Sequence, residues 1–354
     1  MSGSGPRPGG RLRRSDCSGP GISRRKRGGG FSYLDPEGGR IADEDTLERI
    51  RGLAVPPAWR DVWICSDPYG HIQATGLDEA GRKQYLYHER WHLRAAQRKF
   101  ESMREFAATL PKLRRAVKKD LAREGVPRER ALACAVRLLD LGFFRIGGEE
   151  YAETNESYGV ATVLRDHVSI EGEEIVFDFP AKSNQRRVQS IRDPEVKAAI
   201  EAMRRRRSGP EDLLVFRENG GWRDVRSEEV NDYLRARAGE EFSAKDFRTW
   251  HGTVLAAVEL AREGAPSSKG GGERAIRAAI KRVAERLGNT PAVCRSSYVD
   301  PLVLDRFRDG KTIELPSRAP EGTVTPRRQG LIERRVRELI APSGRAEPKR
   351  RKDT

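Results

Sequence analysis

The sequence predicts an α+β protein: a small antiparallel β-sheet domain first, then a larger, mainly α-helical domain that carries a small sheet of its own. Three observations predict it. Residues 31–87 hold short apolar stretches separated by turn signals. From Glu89 the apolar spacing changes to that of amphipathic helices. Alternation then returns briefly at Val168–Ile191.

Taken in order, Phe31–Leu34 reads as a strand ended by Asp35-Pro36. A short helix falls near 43–52, and Val55–Trp59 is a rigid extended turn. Val62–Cys65 and His71–Ala74 flank Asp67-Pro68-Tyr69-Gly70, a hairpin signature. Gln84–Tyr87 is a further strand. Trp91, Ala95, Phe100, Met103 and Phe106 mark a helix expected to end before Pro111. A second helix covers 112–124, and a third runs from Pro127 to Leu141. Ile175–Phe179 is the clearest strand of the later sheet. Asp193-Pro194-Glu195 opens a helix to about Arg206. Ser227 reads as the cap of a helix that Gly239 closes. Helices 249–263 and 273–287 flank Gly264–Gly272, with Gly270-Gly271-Gly272 read as flexible loop. Asn289-Thr290-Pro291 starts a helix that carries Tyr298 and stops at Pro301.

The 354 residues carry a net charge of +15, unevenly spread. Residues 1–30 hold +7 and residues 316–354 hold +6, leaving +2 for the stretch between. Both ends read as mostly disordered basic arms, the second with a short helix at Gly330–Ile340. The expected organisation is therefore a tail at 1–30, a β-rich domain at 31–88, a mainly helical domain at 89–315 and a tail at 316–354. A charge of this size points to a polyanion, with nucleic acid the default partner.

Several chemistries are excluded. No stretch approaches the roughly 18 apolar residues of a membrane span. Cys17, Cys65, Cys134 and Cys294 are too scattered for a disulfide scaffold or a structural zinc site, which suits a reducing compartment. His88 and His92 share helical spacing but lack a third ligand. Neither a Walker loop nor a G-x-S-x-G elbow is present. Composition and periodicity thus suggest DNA and two domains, and name no reaction.

Longer motifs do. Phe143–Tyr151, Asn155–Gly159, Phe179–Lys182, Lys245–Thr249 and Gly288–Pro301 stand in one order, preceded by Pro56–Trp59, His71–Gly76 and Gly81–His88. Across about residues 31–310 the chain resembles the type IB DNA topoisomerases of the poxvirus and bacterial kind. The resemblance implies Tyr298 as nucleophile, Arg145 and Arg248 as phosphate-binding cations, Lys182 as general acid and Asn289 as a neutral donor. It further implies DNA contacts from Arg82, Gln84, Tyr85, Tyr87, Tyr151 and Lys245. Strand alternation puts Tyr85 and Tyr87 on one face, either in a DNA groove or against a small core.

These residue types suit the chemistry. Attack on a phosphodiester builds negative charge, and guanidiniums offer forked donors that never deprotonate. A phenol with a pKa near 10 attacks and also leaves well. Phosphodiester is exchanged for phosphotyrosine, so no ATP is needed, and cations stand in for a metal. The resemblance implies no cofactor and a monomer that clamps duplex DNA in the bacterial cytoplasm, at the nucleoid. The viral members carry His at the Asn289 position and Lys at Glu150, so acid–base work at Asn289 is excluded. The alternatives are a tyrosine recombinase, disfavoured by Lys245-x-x-Arg248, and a non-enzymatic basic coat for DNA. A chain cut to 31–315 is expected to keep single-turnover cleavage.

Overall fold

The structure, a computed structural model, describes residues 10–142, 144–149, 157–181, 185–316 and 326–341. It divides into two units, Met1–Lys99 and Phe100–Thr354.

The first unit is built on five antiparallel strands: β1 (Ile22–Arg27), β2 (Gly30–Leu34), β3 (Arg60–Ile64), β4 (Ile72–Leu77) and β5 (Lys83–Tyr87). Their order is β2-β1-β3-β4-β5. Helix α1 (Glu44–Gly52) starts where Asp43 accepts from the Thr46 N–H at 2.9 Å. Ile22, Ile50, Val62, Ile64 and Ala74 form the core, with Trp59 and Leu86 against it.

The expectation of a disordered arm over residues 1–30 fails from residue 10 onward. β1 pairs with β2 from Ser23↔Leu34 to Arg27↔Gly30 and with β3 at Ile22↔Ile64. Its basic side chains do not prevent this: Ile22 is buried, Arg25, Lys26 and Arg27 are exposed, and Arg24, on the face of Ile22, is half-buried with its guanidinium engaged. Arg24 lies 4.2 Å over the Phe31 ring and donates to the Val55, Pro56 and Trp59 carbonyls. Further upstream, Ser15 N–H donates to His71 Nδ1 at 2.8 Å and the Trp63 indole donates to Gly19 O at 3.1 Å. Main-chain pairing, which composition does not register, orders this segment.

The second unit begins within α2 (Glu89–Leu121), which passes through Pro111 without ending. Proline removes one ladder hydrogen bond. Phe106, Ala107 and Leu110 before it and Leu113 and Val117 after it are all buried, and this packing keeps the two halves as one helix. α3 (Arg128–Gly142) is buried over most of its length. The strands β6 (Val168–Glu171), β7 (Glu174–Ala181) and β8 (Gln185–Ile191) form an antiparallel sheet that sends Ile175, Phe177 and Phe179 into the core.

α4 (Pro194–Arg204) is capped by Asp193, which accepts from Glu195 and Val196 N–H. The hairpin of β9 (Val215–Glu218) and β10 (Gly221–Asp224) turns at Asn219-Gly220, both at positive φ. Ser227 is the first residue of α5 (Ser227–Ala238) and not its cap. Its N–H and hydroxyl donate to Glu149 at 2.8 and 3.1 Å.

α6 (Ala244–Glu263) and α7 (Lys269–Leu287) come next. Gly270-Gly271-Gly272 is the first turn of α7 and not a loop, because Ser268 caps it by accepting from Gly271 N–H at 3.1 Å. α8 (Pro291–Ser297) and α9 (Pro301–Arg308) follow.

The last described helix, α10 (Pro326–Leu339), is part of the core and not a free arm. Val336 and Ile340 are buried in it. Arg114 forks between Asp140, at 2.7 and 2.9 Å, and Glu333 of α10, at 2.6 and 2.8 Å. A cut to 31–315 would thus remove both β1 and α10.

Candidate active site

The site grows from the end of α7. A Schellman cap closes this helix: Gly288 N–H bonds to Glu285 O and Asn289 N–H to Ala284 O. Gly288 takes φ +62, a left-handed conformation that suits glycine. This cap leaves the last carbonyls facing outward at the negative end of the helix dipole. Arginines from three other elements take them. Arg187 on β8 donates to Arg286 O at 3.2 Å. Arg248 on α6 donates to Leu287 O at 2.7 Å. Arg145 donates to Gly288 O at 3.3 Å and to Asn289 Oδ1 at 2.9 Å.

Each arginine is held by its own segment. Arg145 follows Phe144, whose ring packs edge-on to Phe177 at 5.0 Å. Its carbonyl accepts from Val160 N–H at 2.9 Å. Gly159 permits that pairing, since a Cβ there would fall 2.3 Å from Gly147 N. Arg248 is 4% exposed, one turn into α6 from Lys245. The α6 start is fixed by Asn231, which accepts from Ala244 N–H at 3.0 Å, and by Asp246, which accepts from Ser243 N–H at 2.8 Å.

Tyr298 is the residue at which α8 ends, and its N–H bonds to Cys294 O at 2.9 Å. It is 9% exposed. The Arg248 guanidinium carbon lies 5.2 Å from its ring centroid. Behind it, Gly252 allows close approach: a Cβ there would sit 2.5 Å from Tyr298 O. Thr253 Oγ1 donates to Thr249 O at 2.9 Å and accepts from Asp300 N–H at 3.1 Å. Asp300 caps α9 and receives Arg104 at 2.8 Å.

The electrostatics follow from this crowding. Burial first, and the like charge of Arg145 second, push Arg248 down to about 10. Burial alone would raise the Tyr298 phenol. The charges and hydrogen bonds of Arg248 and then Arg145 outweigh it and hold the phenol below its ordinary value. A more acidic phenol beside two cations is a nucleophile poised for an anionic phosphoester. A cavity of about 410 Å³ opens beside Arg145, lined also by Tyr158, Arg186, Arg187, Arg286 and Gly288.

The structure thus brings Arg145, Arg248, Asn289 and Tyr298 together. Lys182 and Tyr151 lie outside the described residues. Lys245 is exposed in the first turn of α6. In the first unit, Arg82 is exposed and pairs with Asp78 at 3.0 Å, and Gln84 donates to the same carboxylate at 2.9 Å. Tyr85 and Tyr87 are 43% and 36% exposed and stack at 6.2 Å, so their shared face is open and not a core. Sequence reasoning missed Arg187. It stands opposite inward-facing Phe179 in the pairing of β7 and β8.

Comparison with known proteins agrees with this geometry. Residues 88–309 match the sequence model for the eukaryotic DNA topoisomerase I catalytic core, and residues 30–78 match that for the bacterial DNA topoisomerase IB N-terminal domain. The chain is 30% identical over 296 residues to DNA topoisomerase 1B of Acanthamoeba polyphaga mimivirus, covering 82% of this chain and 88% of that protein. It is 21% identical over 306 residues to DNA topoisomerase 1B of vaccinia virus, covering 81% and 89% respectively. DNA topoisomerase 1 of Schizosaccharomyces pombe matches over 165 residues at 27% identity, 46% of this chain and 19% of that protein. A catalytic-core match over most of the length, a bacterial N-terminal match ahead of it and a phenol set between two guanidiniums together make the chain a member of the type IB DNA topoisomerase family.

Proposed function

We propose that this type IB topoisomerase relaxes supercoiled duplex DNA of either sign through a covalent intermediate on Tyr298. The observation that carries the reading is the buried meeting of the Tyr298 phenol with Arg248 and Arg145. The Tyr298 phenol gives up its proton to water, its oxygen bonds to the phosphorus of one strand, and the bond to the 5′-oxygen breaks. The phosphate stays on the tyrosine through the 3′ strand end, and the released 5′-oxygen takes a proton, with Lys182 the donor. Arg145 and Arg248 bind the phosphoryl oxygens as charge grows on them. Asn289 accepts from Arg145 at Oδ1 and donates from Nδ2 to Leu287 O at 3.4 Å, so the second N–H of its amide is the donor towards the phosphate. The free end swivels, and the 5′-hydroxyl attacks the phosphotyrosine to restore the strand. Bond energies nearly cancel, so the cycle needs neither ATP nor a metal ion.

In this reading a monomer clamps the duplex with both units. The open stack of Tyr85 and Tyr87 supports a contact with the groove or the backbone in the first unit, and Arg82, Gln84, Tyr151 and Lys245 add to the grip. The bacterial N-terminal match supports work on the nucleoid in the cytoplasm. A nicked-duplex cleavage assay tests the reading. Wild type should trap a 3′-linked adduct in EDTA, and Tyr298→Phe should trap none. Adduct formation by Tyr298→Phe would sink it. Strand exchange between two site-bearing duplexes would instead favour a recombinase.

A further inference from the structure

We propose that Arg187 is a positioning residue for DNA cleavage, a strap between the ends of α3 and α7 that sets where Arg145 and Asn289 stand. This rests on the topoisomerase reading above. Arg187 Nη2 donates to Gly142 O at 3.5 Å, where α3 ends, and to Arg286 O at 3.2 Å, where α7 ends. Gln189, two residues on along the same face of β8, accepts from Arg187 Nε and Nη2 at 3.3 and 3.1 Å.

The two ends it joins both lead directly into the site. Three residues after Gly142 the chain presents Arg145. Two residues after Leu287 it presents Asn289. The 2.9 Å bond between these side chains forms only if both ends hold their relative position. The Arg187 side chain also fills the space beside the cap, since its Nη1 lies 3.4 Å from where a Gly288 Cβ would be. A guanidinium suits the task because its planar fork can reach several acceptors at once, and lysine lacks that fork.

The ion-pair group around Asp140 acts on stability, and at the α4 end Arg206 is buried and tied to the Met203, Pro210 and Asp212 carbonyls. Arg187 links two segments that both deliver site residues.

The test is single-turnover cleavage at saturating DNA. Arg187→Met should slow it about 10–100-fold, the scale of a small misplacement at a reacting centre. DNA affinity and melting temperature should stay near wild type. Arg187→Lys should restore little, because it returns the charge without the fork. In an Arg145→Ala background, Arg187→Met should cost little more, since the Arg145–Asn289 bond that it supports is already gone. Wild-type cleavage by Arg187→Met, or full rescue by lysine, would overturn the proposal. So would an undiminished loss in the Arg145→Ala background. If Arg187→Met fails to fold, Arg187→Gln goes through the same cycle and decides by the same outcomes. Tyr298→Phe run alongside separates the two failures: adduct formation there sinks the topoisomerase reading itself.

Discussion

Two groups of arginines in the second unit, Arg248 buried and the others half-buried, serve opposite ends. Around Asp140, each cation meets carboxylates. Arg114 binds Asp140 and Glu333, and Arg137 binds Asp140 at 2.8 Å and Asp193 at 2.9 Å. Burial opposes the charge on Arg114, but the two acids outweigh it and make the guanidinium more basic than usual. Burial likewise opposes the charge on Asp140, and Arg114 outweighs it, holding the carboxyl well below the usual range. At the end of α7, by contrast, Arg145, Arg187 and Arg248 donate to carbonyls and amide oxygens. Carbonyls fix a guanidinium in place without cancelling its charge. The first group is spent on stability, and the second keeps its field for an anion.

The comparison can be broken at either end. The largest expected effect is on stability. Arg114→Met leaves Glu333 buried without its counter-charge and Asp140 with Arg137 as its remaining arginine, and should cost about 3–5 kcal/mol in denaturant unfolding. The folded fraction should still cleave DNA. A variant as stable as the parent would erase the contrast. Next, Arg145→Ala should slow cleavage at saturating DNA about 10²–10³-fold while melting near the wild-type temperature. A large drop in melting temperature would make Arg145 a stability residue.

The two groups should also respond to pH in different windows. Asp140 is depressed in the folded state, so its contribution is present above the unfolded value of about 3.9 and is lost as pH falls below it. Acid unfolding followed by circular dichroism should begin there. The Tyr298 phenol is depressed by its cations. The cleavage rate should therefore rise with pH and level off below the ordinary phenol value of about 10. Arg145→Gln should move that inflection upward, and an unmoved inflection would dissociate the charge from the phenol. The smallest effect belongs to the seat itself. Gly288→Ala forces alanine into a left-handed cap, at roughly 1–2 kcal/mol, and should weaken cleavage more than binding.

Much of this was legible in the sequence, for physical reasons that differ by element. The motifs carrying Arg145, Arg248, Asn289 and Tyr298 are contiguous, so reading them required no knowledge of packing. β7 was visible because Ile175, Phe177 and Phe179 alternate. The break expected at Pro111 was local reasoning overruled by burial on both sides of the proline. β1 was hidden because Arg24-Arg25-Lys26-Arg27 reads as tail, while its order comes from partners at β2 and β3. The β9–β10 hairpin went unread although Asn219-Gly220 is a strong turn signal. Arg187 was hidden because its acceptors are main-chain carbonyls, and carbonyls have no letter in a sequence.

The anchoring of α10 separates where the family ends from where the protein ends. The catalytic-core match stops at residue 309. The acid that balances Arg114 sits at Glu333. A premature stop codon between these positions would spare every matched residue of the site and still remove that counter-charge. Such an allele would read as a loss of catalysis in a cell, although its defect would be one of folding.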